Sequence, residues 1–346
     1  MSSSNATIDF SAYLNNASNL LNRYLPIFIY IFGTAGNLLN VLVLSQRTLR
    51  SNTSAIFLLI SSIAGLIVIL SGLTSRMMSG YTTDLTLTIG WICKLRNVVL
   101  YSSRTINLSM IALAAIDRWL SSSVHQHYRQ MSTLKNTWRS MFVVLIYTCI
   151  LNTPIIYCYE ANLNWTLRRC YGSTYACRLA TDLIYAFGTT LLPLLLMIIF
   201  GLMTINNVRC IRSRIKTVTE MVISHTNKSI ATNKNGQLRA RKTDRHLLIM
   251  LLVQVILLVL FTCPHAIQKV YSSFASNPPP QSLQSAIETF IFDFFTLLTF
   301  IASGMPFYIY TLSGGSVFRN ALLKLVKTFI QKILYRYSLR AFQISK

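Results

Sequence analysis

The chain has 346 residues, of which 53% are hydrophobic and only 12% charged, and its mean hydropathy is +0.48. A soluble domain carries roughly twice that charged fraction, so the composition excludes a large soluble core and identifies an integral membrane protein. The net charge of +23 is not a nucleic-acid signal, because 23 of the 32 Lys and Arg lie in alternate loops and the C-terminal tail, counting Arg118 and Arg139 at the adjoining span ends; this is the positive-inside pattern.

Seven segments are long enough to cross ~30 Å of hydrocarbon. Residues 1–23 are an extracellular N-terminus, and no cleavable signal is visible because the first twenty residues are polar. The first span, 24–45, carries Gly36-Asn37 and serves as its own insertion signal. The second, 55–78, has Arg76 near its outer end. The third, 91–122, carries Cys93, Tyr101, Arg104 and the run Asp117-Arg118-Trp119. The fourth is 139–159, with Cys170 in the loop after it. The fifth, 180–208, holds Asp182, Tyr185 and Pro193. The stretch 209–245 contains ten Lys or Arg and is therefore cytoplasmic; within it, polar 226–243 reads as a flexible loop. Asp244 precedes the sixth span, 246–271, which carries Pro264, His265, Gln268 and Lys269. The run Asn277 to Pro280 is an extracellular turn. The seventh span, 287–312, holds Glu288, Asp293 and Pro306, and 313–346 is a cytoplasmic tail.

A cytoplasmic fifth-to-sixth loop and an odd number of spans put the N-terminus outside. The sequons at Asn5, Asn16 and Asn164 fall on that outer side and are candidate glycosylation sites, whereas those at Asn52, Asn107 and Asn227 do not. No Gly-rich phosphate loop, His-Glu-x-x-His or Gly-x-Ser-x-Gly is present. The five His and seven Cys show no metal spacing, so neither an enzyme nor a cofactor is expected.

Spacing along the spans gives depth. Cys93 and Arg118 are 25 residues apart, ~37 Å of continuous helix, so they mark opposite membrane surfaces. An outer Cys on a span and Cys170 in the next outer loop can form a disulfide in an oxidising compartment; Cys158 and Cys177 also lie near the outside and leave the pairing open. Asp244 precedes Pro264 by twenty residues, ~30 Å, which sets it at about the depth of Arg118. The two charges can pair across the bundle.

These residues together resemble the rhodopsin-like G-protein-coupled receptors over nearly the whole chain. Gly36-Asn37, Cys93, Asp117-Arg118-Trp119 (with Trp for the usual Tyr), Cys170, Pro193, Pro264, Pro306 and Phe318-Arg319 carry the resemblance, and the run Met305 to Arg319 is similar to invertebrate, neuropeptide-type members. It implies an all-α seven-transmembrane bundle with a short amphipathic eighth helix. It also implies a plasma-membrane receptor whose partners are an extracellular ligand, a heterotrimeric G protein, arrestin and membrane lipid, with no nucleic acid. In that family the Arg is held at rest by its neighbouring Asp and an acid on helix six, and meets the G protein when helix six swings outward. Here those parts are Arg118, Asp117 and Asp244, and the pairing expected outside is Cys93 with Cys170.

The chain departs from the pattern in several places. Gly65 stands for the sodium-binding Asp, Phe261 for the toggle Trp, and Met305-Pro306 for Asn-Pro, with Tyr308 and Tyr310 flanking the usual Tyr. Gly201 and Val144 replace the helix-five Tyr and helix-four Trp. These losses leave a degenerate, weakly coupled receptor as an alternative, against which the retained Asp117-Arg118 and Asp244 argue.

For the ligand, Arg104 is the informative residue: it lies 14 residues before Arg118, ~21 Å up the same helix and about 40° around it, and a buried membrane Arg marks a functional site by default. Asp182, Glu288 and Asp293 are candidate acids on the outer half; Arg76 and Lys269 add positive charge, and Tyr101, Tyr185, His265 and Gln268 complete the candidate pocket. Leu100 at the amine-binding position argues against a small amine, and Thr299 at the retinal-Lys position against an opsin. A pocket of both signs fits a peptide. Arg104 with Asp293 as an ion path is the transporter or channel alternative, but no paired broken helices or inverted repeat is visible. In the tail, Val317, Phe318, Ala321, Leu322, Leu325, Val326 and Phe329 form one helical stripe bordered by Arg319, Lys324 and Lys327. It is expected to start near Ser316 and lie on the inner leaflet, with its basic residues at the headgroups.

Overall fold

The computed structural model of the chain describes residues 2–50, 52–79, 85–163, 170–223, 231–275, 282–313, 318–325, 327, 330 and 331, with side chains described outside 2–9, 48, 50, 79, 85, 87, 211–249 and 313. Among these residues seven helices are long and apolar enough to cross a membrane. They are α1 (Ser2–Leu44), α2 (Thr53–Ser79), α3 (Gly90–Ser122), α4 (Leu134–Cys158), α5, α6 (Ala231–Phe274) and α7 (Leu283–Gly304). Helix α5 begins as Tyr175–Leu183, widens into a π-helical stretch at Ile184–Leu191 and continues as Leu192–Ile223. After a break at Met305 the chain resumes as Pro306–Ser313, with Pro at the first helical position, where its missing N–H costs no bond. The fold is an all-α seven-transmembrane bundle.

Helix α3 is the central post. In its apolar window 67% of residues are buried, against 33–56% in the other six, so α3 is enclosed on nearly all sides while the others keep a lipid face. Phe28, Phe142, Ile150, Ile256 and Leu260 are exposed on those faces, as expected where the solvent is hydrocarbon. Inside, Leu108, Ile111, Leu194, Met197, Val255 and Leu258 join α3, α5 and α6, and Val43, Phe57, Met110, Met250 and Tyr310 close the end of the bundle where α3 finishes. Helices α1 and α7 meet at their backbones: a Cβ on Gly304 would lie 2.9 Å from the Gly33 Cα. Glycine at 304 permits that approach; at Gly33 a Cβ would instead crowd the Ile69 side chain, at 2.5 Å.

The helix starts follow capping rules. Thr133, Thr174 and Ser282 each accept a bond from the backbone N–H three residues on, opening α4, α5 and α7. Between α4 and α5 the loop forms a short antiparallel hairpin, β1 (Tyr159–Glu160) with β2 (Tyr171–Gly172).

The structure corrects several expected boundaries. The first helix reaches back to Ser2, far beyond residue 24. Residues 231–243, read as part of a flexible loop, are the first turns of α6. The run from Gln237 to Arg245 is rich in Leu, Ala, Arg and Lys, good helix formers that extend a helix already nucleated in the membrane. Helix α5 runs on past 208 in the same way, and the seventh span is split at Met305.

Residues 318–325 are helical, but the apolar stripe there packs inward. Phe318 is buried against Phe307 and Tyr310, and Ala321, Leu322 and Leu325 pack on the cytoplasmic cluster. Arg319 donates to the carbonyls of Thr311 and Leu312 at 2.8 Å rather than pointing at headgroups; these carbonyls end a helix and need donors. Val317, Val326 and Phe329 lie outside the described residues.

Candidate functional site

At the end of the bundle opposite the disulfides Asp117 is buried, and its carboxylate takes three hydroxyl donors. Thr53 Oγ1 donates to Oδ2 at 2.6 Å, Ser54 Oγ to the same oxygen, and Ser132 Oγ to Oδ1 at 2.6 Å. Asp117 thereby ties α3 to the start of α2 and to the loop before α4. Arg118 donates to Asn52 Oδ1 at 3.3 Å. Trp119 makes tilted ring contacts with Tyr128 at 5.3 Å and Phe200 at 5.1 Å, fixing the α3–α4 loop to α5. Asp244 lies on α6, but its side chain is outside the described residues. One level deeper, Tyr310 donates to Gln254 Oε1 at 3.0 Å and links the end of the seventh span to α6; the sequence reading did not find Gln254.

On the outer side Cys93 is joined to Cys170, with Cα atoms 5.9 Å apart, and Cys158 to Cys177, at 5.3 Å. The first link holds the hairpin to α3. The second, which the spacing left unassigned, holds the start of α5 to the end of α4. Under the hairpin, burial pushes the Tyr159 phenol well above its ordinary pKa, helped by the neighbouring Tyr101, so it stays neutral.

The candidate pocket residues separate into three groups. Lys269 and Asp182 form a salt bridge of 2.6 Å with side chains 1% and 0% exposed. Tyr171 and Ser273 also donate to Asp182, the latter at 2.8 Å, and Lys269 Nζ lies 5.1–5.6 Å from the rings of Tyr101, Tyr171 and Tyr185. Arg76 pairs with Asp293 at 3.3 Å, and Ser18 and Asn22 of the α1 extension donate to the same carboxylate at 2.8 and 2.6 Å. Arg104, 5% exposed, donates to Tyr185 Oη at 3.1 Å and Thr299 Oγ1 at 2.7 Å, with its guanidinium 5.2 Å from the Phe300 ring. Asn107, three residues further along α3, accepts from Ser61. His265 meets Thr296 at 3.4 Å and the rings of Tyr185 and Phe292.

Gln268 falls apart from these groups. It lines an open groove of about 580 Å³ between α6 and α7 with Ile267, Tyr271 and Glu288. Asn16 is exposed on α1; the Asn5 side chain and Asn164 lie outside the described residues. Tyr171, Ser273, Ser18 and Asn22 were not predicted, because nothing in the sequence marks an ordinary hydroxyl or amide as the partner of a distant acid.

The prolines shape the site. Pro193 is buried near the start of the last α5 segment and has no N–H to donate. The preceding turn widens so that the Leu192 N–H reaches Phe187 O, and this π-helical stretch carries Tyr185 into the bundle. Pro264 lies inside α6 just below Lys269, and Pro306 restarts the seventh span.

Seven membrane-length helices, an Asp-Arg pair at one end of the central one and a disulfide-tied loop at the other define a seven-helix membrane receptor. The family model of the 7 transmembrane receptors (rhodopsin family) matches residues 36–310, and the chain belongs to that family. No curated protein matches it significantly.

The family's sodium site does not fit here. A Cβ on Gly65 would lie 3.1 Å from Asn37 Oδ1, 3.1 Å from Ser303 O and 3.2 Å from Asn107 Nδ2, so the space is polar but already tight and supplies no carboxylate. Among the described residues no cluster of three or more His, Cys, Asp or Glu could hold a metal. A hard cation needs charged oxygen ligands. Exchanging sodium for choline at equal ionic strength should leave the thermal midpoint of the purified protein unchanged; a sodium-specific rise would show that another acid has taken the role.

Proposed function

We propose that the chain is a G-protein-coupled receptor of the plasma membrane, with its N-terminus outside. It binds a peptide at the outer half of the bundle and activates a heterotrimeric G protein when α6 moves outward; arrestin recognises the same active state. The basic 209–245 stretch at one end and the two disulfides at the other support the orientation. The peptide reading rests on a hairpin-covered outer half that carries both signs of charge.

The observation that carries the coupling role is the way Asp117 is held. Three hydroxyls satisfy its carboxylate, so the fold does not depend on Arg118 to neutralise it. A permanent charge with a planar fork can then exchange partners at the cytoplasmic edge, biased by whichever state the ligand prefers. Arg118→Ala should abolish agonist-driven nucleotide exchange while surface expression stays near wild type. Asp244→Asn should raise ligand-independent exchange by releasing a resting contact. Both variants signalling like wild type would reject the assignment.

A further inference from the structure

Three cations of the candidate pocket are buried or half-buried, and two have a carboxylate. Arg76 has Asp293, and Lys269 has Asp182. Among the described residues no carboxylate lies within 4.0 Å of Arg104. Its two terminal nitrogens are occupied by neutral oxygens, Tyr185 Oη from α5 and Thr299 Oγ1 from α7. Neutral hydroxyls and an aromatic face compensate a guanidinium less well than an anion does, because charge-assisted bonds are about twice as strong as neutral ones. Burial of an ion without a counter-charge is costly wherever it occurs. Among the described residues Lys269 is the other fully buried cation, and it has an acid, so the charge left over at Arg104 sets this position apart.

We propose, on the receptor reading above, that Arg104, Tyr185 and Thr299 form a carboxylate subsite in the core of the bundle, built for the free C-terminal carboxylate of an extended peptide. The two hydroxyl oxygens sit on the two arms of the guanidinium fork, where the oxygens of a bidentate carboxylate bind. An arriving carboxylate replaces both, and so releases the α3–α5 and α3–α7 bonds in one step. Depth selects the terminus. Arg104 is 11 residues below Cys93, ~16 Å along α3, and an extended chain covers that distance in about five residues. A cationic ligand group is repelled by the same guanidinium.

The cavity beside Tyr185 and Tyr101 is about 10 Å³, room for one water, and is lined by neither Arg104 nor Thr299, while Tyr185 Oη itself occupies one arm of the guanidinium. Seating the peptide therefore displaces Tyr185. That residue lies in the π-helical stretch, where an extra residue in the turn gives the backbone slack to re-register.

The test uses the full chain in lipid nanodiscs, read by thermal midpoint and, separately, by G-protein nucleotide exchange. Sodium propionate should raise the midpoint saturably over sodium chloride at equal ionic strength, and Arg104→Gln should remove that rise. In carboxylate-free buffer Arg104→Gln should be at least as stable as wild type, since it deletes an uncompensated charge; a structural Arg104 predicts a loss.

A pool of hexapeptides lacking Asp and Glu, with free C-termini, should bind at least tenfold more tightly than the same pool amidated. Arg104→Lys should weaken the acid pool at least tenfold while keeping part of the propionate rise, a measurement that stands even if Arg104→Gln fails to fold. Chloride matching propionate, amidated peptides matching acid ones, or binding only by an amidated pool ending in Asp or Glu would each overturn the proposal. Carboxylate-dependent binding without nucleotide exchange would leave the subsite standing and sink the receptor reading. Exchange driven equally by amidated peptides would do the reverse.

Discussion

Asp182→Asn should destabilise the protein by about 3–5 kcal/mol, the cost of leaving a buried ammonium without its counter-charge. Lys269 has no route to water in the structure: its side chain is 1% exposed, and three tyrosine rings surround its Nζ. Those rings stabilise a cation by about 0.5–2 kcal/mol each at most, and ring faces are no substitute for a carboxylate oxygen at 2.6 Å. The thermal midpoint in nanodiscs and the fraction reaching the cell surface are the measurements. The double variant Asp182→Asn with Lys269→Met should recover most of the loss, because a neutral pair has no ion to desolvate. An Asp182→Asn protein as stable as wild type would show that water reaches Lys269.

The second large effect is expected at the disulfides. Cys93→Ser should cost about 2–5 kcal/mol, the usual range for a native link in an oxidising compartment. The two links are not equal. Cys93–Cys170 closes a separation of 77 residues and Cys158–Cys177 one of 19. Loop entropy ranks the longer one ahead by about 1 kcal/mol. Position points the same way, because Cys170 immediately precedes Tyr171, a donor to Asp182. Losing the longer link frees that strand and uncovers the buried ion pair. The effects of Cys93→Ser and Asp182→Asn should therefore fall short of additive by 0.5 kcal/mol or more, as is typical of residues in one network, about 0.5–3 kcal/mol. Equal losses for Cys93→Ser and Cys158→Ser, with full additivity, would contradict this ordering.

The sequence announced the seven helices because apolar runs of that length have no other use in a chain of this charge. It misplaced their ends, because α1, α5 and α6 continue beyond the apolar runs through polar residues, where hydropathy is silent. The Asp117-Arg118 pair and the outer Cys were legible from depth alone. Partners across the bundle were not. Asp182 and Lys269 are 87 residues apart, as are few pairs a local pattern can register. Spacing fixes depth well but direction poorly, since each residue turns the helix by about 100° and one widened turn shifts every face beyond it. The π-helical stretch at Ile184–Leu191 does this to α5. Arg104 and Asp293, set together only in the ion-path alternative, do not pair: Arg76 holds that acid from α2, and Thr299, noted only for not being a lysine, holds Arg104.

The backbone contact between Gly33 and Gly304 does not act alone. Tyr308 Oη bonds Phe32 O at 2.9 Å just beside it, and Ser18 and Asn22 hold Asp293 at the outer end. Helix α1 is thus fastened to the seventh span at two heights, which makes the pair a stator against which other helices can be timed. A spectroscopic label on the exposed face of α1 would share the frame of α7, so a distance from it to α6 would record the displacement of α6 with little contribution from its own anchor.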